Sequence, residues 1–219
     1  RADGTLDEEG FSQFFRSFLM VGGRYVPPKD TFASFEARYE ATGFSPRALA
    51  QELTHAAQDY SVISGKSADA DENVTKALAG LNVLESSTTY PLLLALFARR
   101  RTDSIRSEQL ARCIEMLRGF ILRRFVCGES SRGYGQIFVR ALAKDDGDPV
   151  RTLEEYLLDR GWPDDRQFKT AFAKFPLYQR GYTHEVLEAL ERARGHKEPA
   201  DLQNARSEEH TSELQSRHN

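Results

Sequence analysis

Residues 107–125 read SEQLARCIEMLRGFILRRF, and their spacing decides the fold class. Leu110, Cys113, Ile114, Leu117, Ile121 and Phe125 fall within one arc when each residue is turned by about 100°, the pattern of a helix with one buried face. Cys127-Gly128 follows as a helix stop. The same period recurs on both sides of this stretch. Upstream, Thr5-Leu-Asp-Glu8 has the spacing of a capping box. Phe11, Phe14, Phe15, Phe18 and Leu19 then follow at helical intervals and end at Gly22-Gly23. Pro27-Pro28 opens a segment with Phe32, Phe35 and Tyr39 on one face and Gly43 as its stop. Ser45-Pro46 is an N-cap with proline at the first helical position, ahead of a stripe formed by Leu49, Leu53, Ala56, Ala57 and Tyr60. Residues 71–84 make a further helix, and Thr88 or Thr89 is expected to cap another that starts at Pro91.

Downstream, Tyr134, Ile137, Phe138, Ala141 and Leu142 mark a helix, and Asp148-Pro149 opens the next. Pro163-Asp164 opens one bearing Phe168 and Phe172, and a last helix is expected over 182–194. No stretch alternates with period two, and β-branched residues never cluster. The chain therefore reads as all-α, an irregular multi-helix bundle of about nine or ten helices. Three parts are expected: a helical connector over 1–104, a second helical region over 105–205, and a non-native tail over 206–219. The tail expectation rests on RSEEHTSELQS at 206–216, which is the in-frame translation of a common sequencing-library adapter. Arg1, with no initiator Met and no apolar leader after it, reads as an internal start.

Hydrophobic content of 40% and charge of 29% suit a globular chain with a sizeable core. The longest apolar run, residues 91–98, is too short to span a bilayer, so no membrane partner is expected. Cys113 and Cys127 lack a CxxC partner and suit a reducing cytoplasm, as small apolar side chains. The net charge of −3 is unevenly spread: residues 1–89 carry −5, residues 90–144 carry +7 and residues 145–205 carry −4. Arg99, Arg100, Arg101, Arg112, Arg123, Arg132 and Arg140 make this middle belt a candidate DNA-contact set. Pairing with the acidic flanks would account for the same residues equally well.

Little else points to chemistry. His55, His184 and His196 stand apart, without metal-ligand spacing, so no metal ligand and no catalytic residue is expected in the chain. Asp145-Asp146 and Asp164-Asp165 sit at turns and helix starts, where acids complement the helix dipole. The GKS at 65–67 lacks the upstream glycine of a phosphate-binding loop. Arg124 is the exception to this plainness. It lies between Leu117 and Phe120 on the wheel, inside the apolar arc, whereas Arg112 and Arg123 point the other way. A guanidinium there needs carboxylates, helix-end carbonyls or a phosphate. Glu115 is too far along the same helix, so the partner is expected from another element, within the acidic residues 145–165.

FILRRFVCGESSRGYGQIF, residues 120–138, resembles the helical segment that leads into the C-terminal half of GmrSD-type modification-dependent restriction endonucleases. Arg123, Arg124, Cys127 and Gly128 match that pattern. Tyr90-Pro91-Leu92-Leu93-Leu94 before it, and Trp162-Pro163, Phe168 and Pro176-Leu177-Tyr178 after it, agree in order. The resemblance implies a cytoplasmic anti-phage enzyme that cuts modified DNA. An N-terminal unit would hydrolyse a nucleoside triphosphate, and a C-terminal HNH unit would need a divalent metal. The motifs of both units lie outside this chain, which needs no cofactor of its own. The chain would act as the helical connector between these flanking catalytic domains, with Arg124, Cys127 and Gly128 in structural or interdomain roles. The alternative is a non-enzymatic helical module that binds DNA or protein.

Overall fold

The computed structural model describes residues 8–43, 45–141 and 147–175. The described residues up to Lys174 belong to one compact unit. Among the described residues there are nine α-helices and no strand: α1 (Glu8–Met20), α2 (Thr31–Thr42), α3 (Pro46–Ile63), α4 (Glu72–Asn82), α5 (Tyr90–Arg101), α6 (Ser107–Val126), α7 (Tyr134–Arg140), α8 (Pro149–Asp159) and α9 (Asp165–Phe172). The fold is all-α. The expected helix at 182–194, the tail at 206–219, Pro176-Leu177-Tyr178, Asp145-Asp146, His184 and His196 lie outside the described residues.

Local chemistry sets most helix ends. The Ser45 side chain accepts from Ala48 N, and Asp71 and Asp148 each accept from two backbone N–H groups of the first turn of α4 and α8. Asp164 and Gln167 form a reciprocal capping box on α9. Gly43 closes α2 in the left-handed region, at φ +58°. Thr89 departs from its expected role: its hydroxyl donates to Ser86 O at 2.8 Å, within a 3-10 turn at Ser87–Thr89, and does not cap α5.

α6 is the axis of the packing. α4 and α8 lie against it, while α5 joins it to the layer containing α1 and α3. Leu110, Ile114, Leu117 and Phe120 of α6 are fully buried with Leu81 of α4 and with Leu153 and Leu157 of α8. The apolar run of α5 is buried on every side, because α1, α3, α6 and α7 all pack on it. The expected division at 104/105 runs through this compact unit, and α4 packs on α6 across it. A second cluster gathers Phe18, Leu19, Met20, Val26 and Val139, with Phe14, Phe15, Phe35, Leu53 and Ala56 only partly covered.

Candidate functional site

The C-terminal end of α6 builds a junction with the end of α8 and the start of α9. Gly128, at φ +75°, turns the backbone so that Gly128 N donates to Phe125 O and Glu129 N to Arg124 O, at 3.1 and 2.8 Å. This is a Schellman turn, and it folds Glu129 and Ser130 back over Arg124. α8 ends the same way. Gly161 sits at φ +80°, Gly161 N donates to Leu158 O and Trp162 N donates to Leu157 O, both at 3.1 Å.

Arg124 lies between these two turns. Its Nη1 donates to Arg160 O at 3.0 Å and Gly161 O at 3.2 Å, so it covers carbonyls left over at the end of α8. Its Nη2 reaches Ser130 O and Glu129 Oε2, at 3.3 and 3.4 Å. The side chain is 12% exposed, and its guanidinium lies over Phe120 and Tyr134, 5.3 and 5.9 Å from the ring centroids. The buried Nε has no hydrogen-bond acceptor. Gly161 is favoured by its φ of +80°, and a Cβ there would also sit 3.2 Å from Arg124 Nη1, so the guanidinium would have to shift by a few tenths of an ångström.

Arg123 does not project into solvent as the helical wheel implies. α9 begins beside it, and Arg123 donates to Pro163 O at 3.0 Å and Asp165 Oδ1 at 2.5 Å while stacking 5.3 Å from the Phe168 ring. The Arg123 hydrogen bond, helped by its charge, holds the Asp165 carboxyl below its ordinary pKa. Trp162 completes the junction edge-on to Phe120, with ring centroids 6.3 Å apart, and seats against Gly119. Cys127 is half-buried as the C-cap of α6, and burial raises its thiol pKa, with Glu129 adding to the effect. Arg124, Cys127, Trp162, Pro163, Arg166 and Lys174 line an open cleft of about 800 Å³ at this junction.

The rest of the cationic belt divides between arginines paired with acids of the same unit and arginines left on the surface. Arg100 makes two bonds to Asp69, at 2.9 and 2.6 Å, and lies over Phe97. Arg101 pairs with Asp59 and donates to His55 O. The two carboxyls respond in opposite directions. Burial pushes Asp59 up despite Arg101, whereas at Asp69 burial is outweighed by the Arg100 bonds and by Asp71 N–H, and the net shift is down. Arg99 is half-buried and lines a cavity together with Val21, Leu92 and Val139, and desolvation lowers its pKa. Arg112, Arg132 and Arg140 are exposed. Cys113 is fully buried, and its thiol is pushed up to about 12, mainly by burial.

One buried arginine escaped the sequence reading. Arg118, 8% exposed, places its guanidinium against Gly80 of α4, where a Cβ would come within 3.0 Å, and lies 3.6 Å from Glu115. Its position four residues after Ile114 and three before Ile121 was the available signal. Among the described residues, no group of three or more His, Cys, Asp or Glu could hold a metal ion, and no helix is long and apolar enough to cross a membrane. The chain matches no family model, no curated protein and no solved structure.

Proposed function

We propose that this chain is a helical connector of a GmrSD-type modification-dependent DNA endonuclease, acting in the cytoplasm against phage DNA. One observation carries the reading. Arg123, Arg124 and Cys127 on one side, and Trp162, Pro163 and Phe168 on the other, are far apart in sequence yet meet at the single junction described above. These six residues, part of the set that carries the resemblance, thus behave as one physical device, which supports treating them as one motif. In this reading the device fixes the angle between α6 and the α8–α9 pair. Nucleotide hydrolysis and strand cleavage belong to flanking units, which would hold the nucleoside triphosphate and the divalent metal.

DNA contact by the belt has narrower support. Arg100, Arg101 and Arg123 are paired with carboxylates of the acidic flanks, leaving Arg112, Arg132 and Arg140 as exposed contacts. Three such contacts would give a log–log salt slope of about −2.7 on duplex DNA.

The test is to extend the chain along its source reading frame and assay magnesium-dependent cleavage of modified and unmodified DNA, with and without nucleoside triphosphate. The extended protein should cut modified DNA, and this chain alone should not. A source frame lacking both catalytic motifs would replace the reading with that of a non-enzymatic module, and cleavage by this chain alone would overturn the connector reading by placing a catalytic site within it.

A further inference from the structure

We infer that the aromatic face shared by α1 and α2 is a docking surface for an amphipathic helix of a partner protein, apolar along one stripe and rimmed with Lys and Arg. The inference rests on nothing in the endonuclease reading. Among the described residues five large hydrophobic side chains are exposed, and three lie here: Phe11 at 52%, Phe32 at 69% and Tyr39 at 37%. The other two, Val83 and Leu158, lie in separate parts of the chain. The rings of α1 and α2 form a continuous series. Phe11 lies 5.8 Å from Phe15, Phe15 lies 5.1 Å from Phe35, and Phe35 lies 6.4 Å from Tyr39, centroid to centroid. Phe32, Phe35 and Tyr39 are spaced i, i+3, i+7, which lays the stripe along about 10 Å of α2. A connected apolar face of this kind costs free energy while it is wet, and such faces mark interaction sites.

Charge selects the occupant. Glu8 and Glu9 lie in the first turn of α1, and Glu36 and Glu40 lie beside the stripe on α2, all of them exposed. The arginines of the same two helices are engaged elsewhere: Arg16 on Val26 O and Tyr25, Arg38 on Phe18 O and Glu52. Lys29, in the turn before α2, is exposed as well, but the four glutamates outnumber it and the rim is net acidic. A two-fold contact between copies would set one acidic rim against the other, and a nucleic acid or an anionic membrane would meet the same repulsion. A helix presenting Leu or Phe at i, i+3, i+4, i+7 with Lys or Arg beside them satisfies both the stripe and the rim.

The probe is a fluorescently labelled amphipathic peptide of Leu and Lys, titrated against the full chain and followed by anisotropy, with a Leu/Glu peptide of the same pattern as control. The Leu/Lys peptide should bind saturably and the Leu/Glu peptide should not. Phe11→Ser combined with Phe32→Ser should weaken binding by roughly tenfold or more, the size expected when aromatic anchors are removed. Leu158→Ser should leave binding unchanged. Glu36→Lys combined with Glu40→Lys should move the preference to the Leu/Glu peptide. Equal binding of both peptides, or binding indifferent to the two Phe substitutions, overturns the proposal. So does a chain dimer in sedimentation that those substitutions dissolve.

Discussion

The α4–α6–α8 region and the α1–α3 region carry similar apolar periodicity and reach different ends. In the first, Leu81, Ile114, Leu117, Phe120, Leu153 and Leu157 exclude solvent completely. In the second, Leu53 and Ala56 of α3 and Phe15 and Phe35 of α1 and α2 are only partly covered. The difference lies in the neighbours: α6 is enclosed by α4, α5, α8 and α9, whereas α2 packs on α1 and on the 3-10 turn at Pro28–Asp30. An apolar stripe states what a helix offers, and burial depends on how many partners accept the offer.

The largest effect expected from this contrast is in the core. Leu117→Ala, at a fully buried site of α6, should cost about 3–5 kcal/mol. Leu53→Ala, the same chemical change on the half-covered face of α3, should cost about 1–2 kcal/mol, because less area returns to water and solvent reaches the gap. Urea unfolding of the two variants measures both. Equal losses would show that the two regions are one equally enclosed core and would break the comparison.

The junction sharpens it at intermediate scale. Arg124→Ala removes four hydrogen bonds and leaves the α8-end carbonyls of Arg160 and Gly161 without a donor. It should cost about 2–3 kcal/mol. Arg124→Lys should recover only part of this, since one ammonium cannot bridge two helix ends as a guanidinium does. Arg123→Ala should cost about 1 kcal/mol, mostly the Pro163 O bond and the Phe168 stacking; its ion pair involves a solvated carboxylate and adds little. Thermal melts rank the three variants. If Arg123→Ala proved as costly as Arg124→Ala, the anchoring of α9 would matter as much as the capping of α8.

Helix placement was legible because its determinants are local. Ser45, Asp71, Asp148 and Asp164 sit where a helix start needs an acceptor, and each supplies one. Arg124 was legible from its angle on α6, and its acceptors Arg160 O and Gly161 O fall within the acidic segment where a partner was expected. Angle alone failed for Arg123, which faces away from the α6 core and is nonetheless covered by α9. The pairing of Arg100 with Asp69, 31 residues away, has no local signature at all, so the belt could be read as a DNA face or as internal glue. Arg118 had a local signal in its spacing to Ile114 and Ile121, but the space that accepts its guanidinium depends on Gly80, 38 residues away on α4.

The smallest expected effect probes the exposed end of the comparison. Phe32 is the most exposed large hydrophobic side chain among the described residues, although the sequence places it on the same stripe as Phe35 and Tyr39. Ser and Phe have similar helix propensities, so Phe32→Ser should change stability by about 0.5 kcal/mol or less. Phe35→Ser changes the same chemistry one turn along the helix. Phe35 is half-buried and packs on Phe15, so its loss should cost about 1–2 kcal/mol, part of the range for fully burying a side chain of this size. The two sites share a helix and a face, so the gap between their melts isolates coverage from periodicity. A substantial loss for Phe32→Ser would mean that α2 buries this stripe in solution. The aromatic face would then belong to the core of the unit and would have no vacancy for a partner helix.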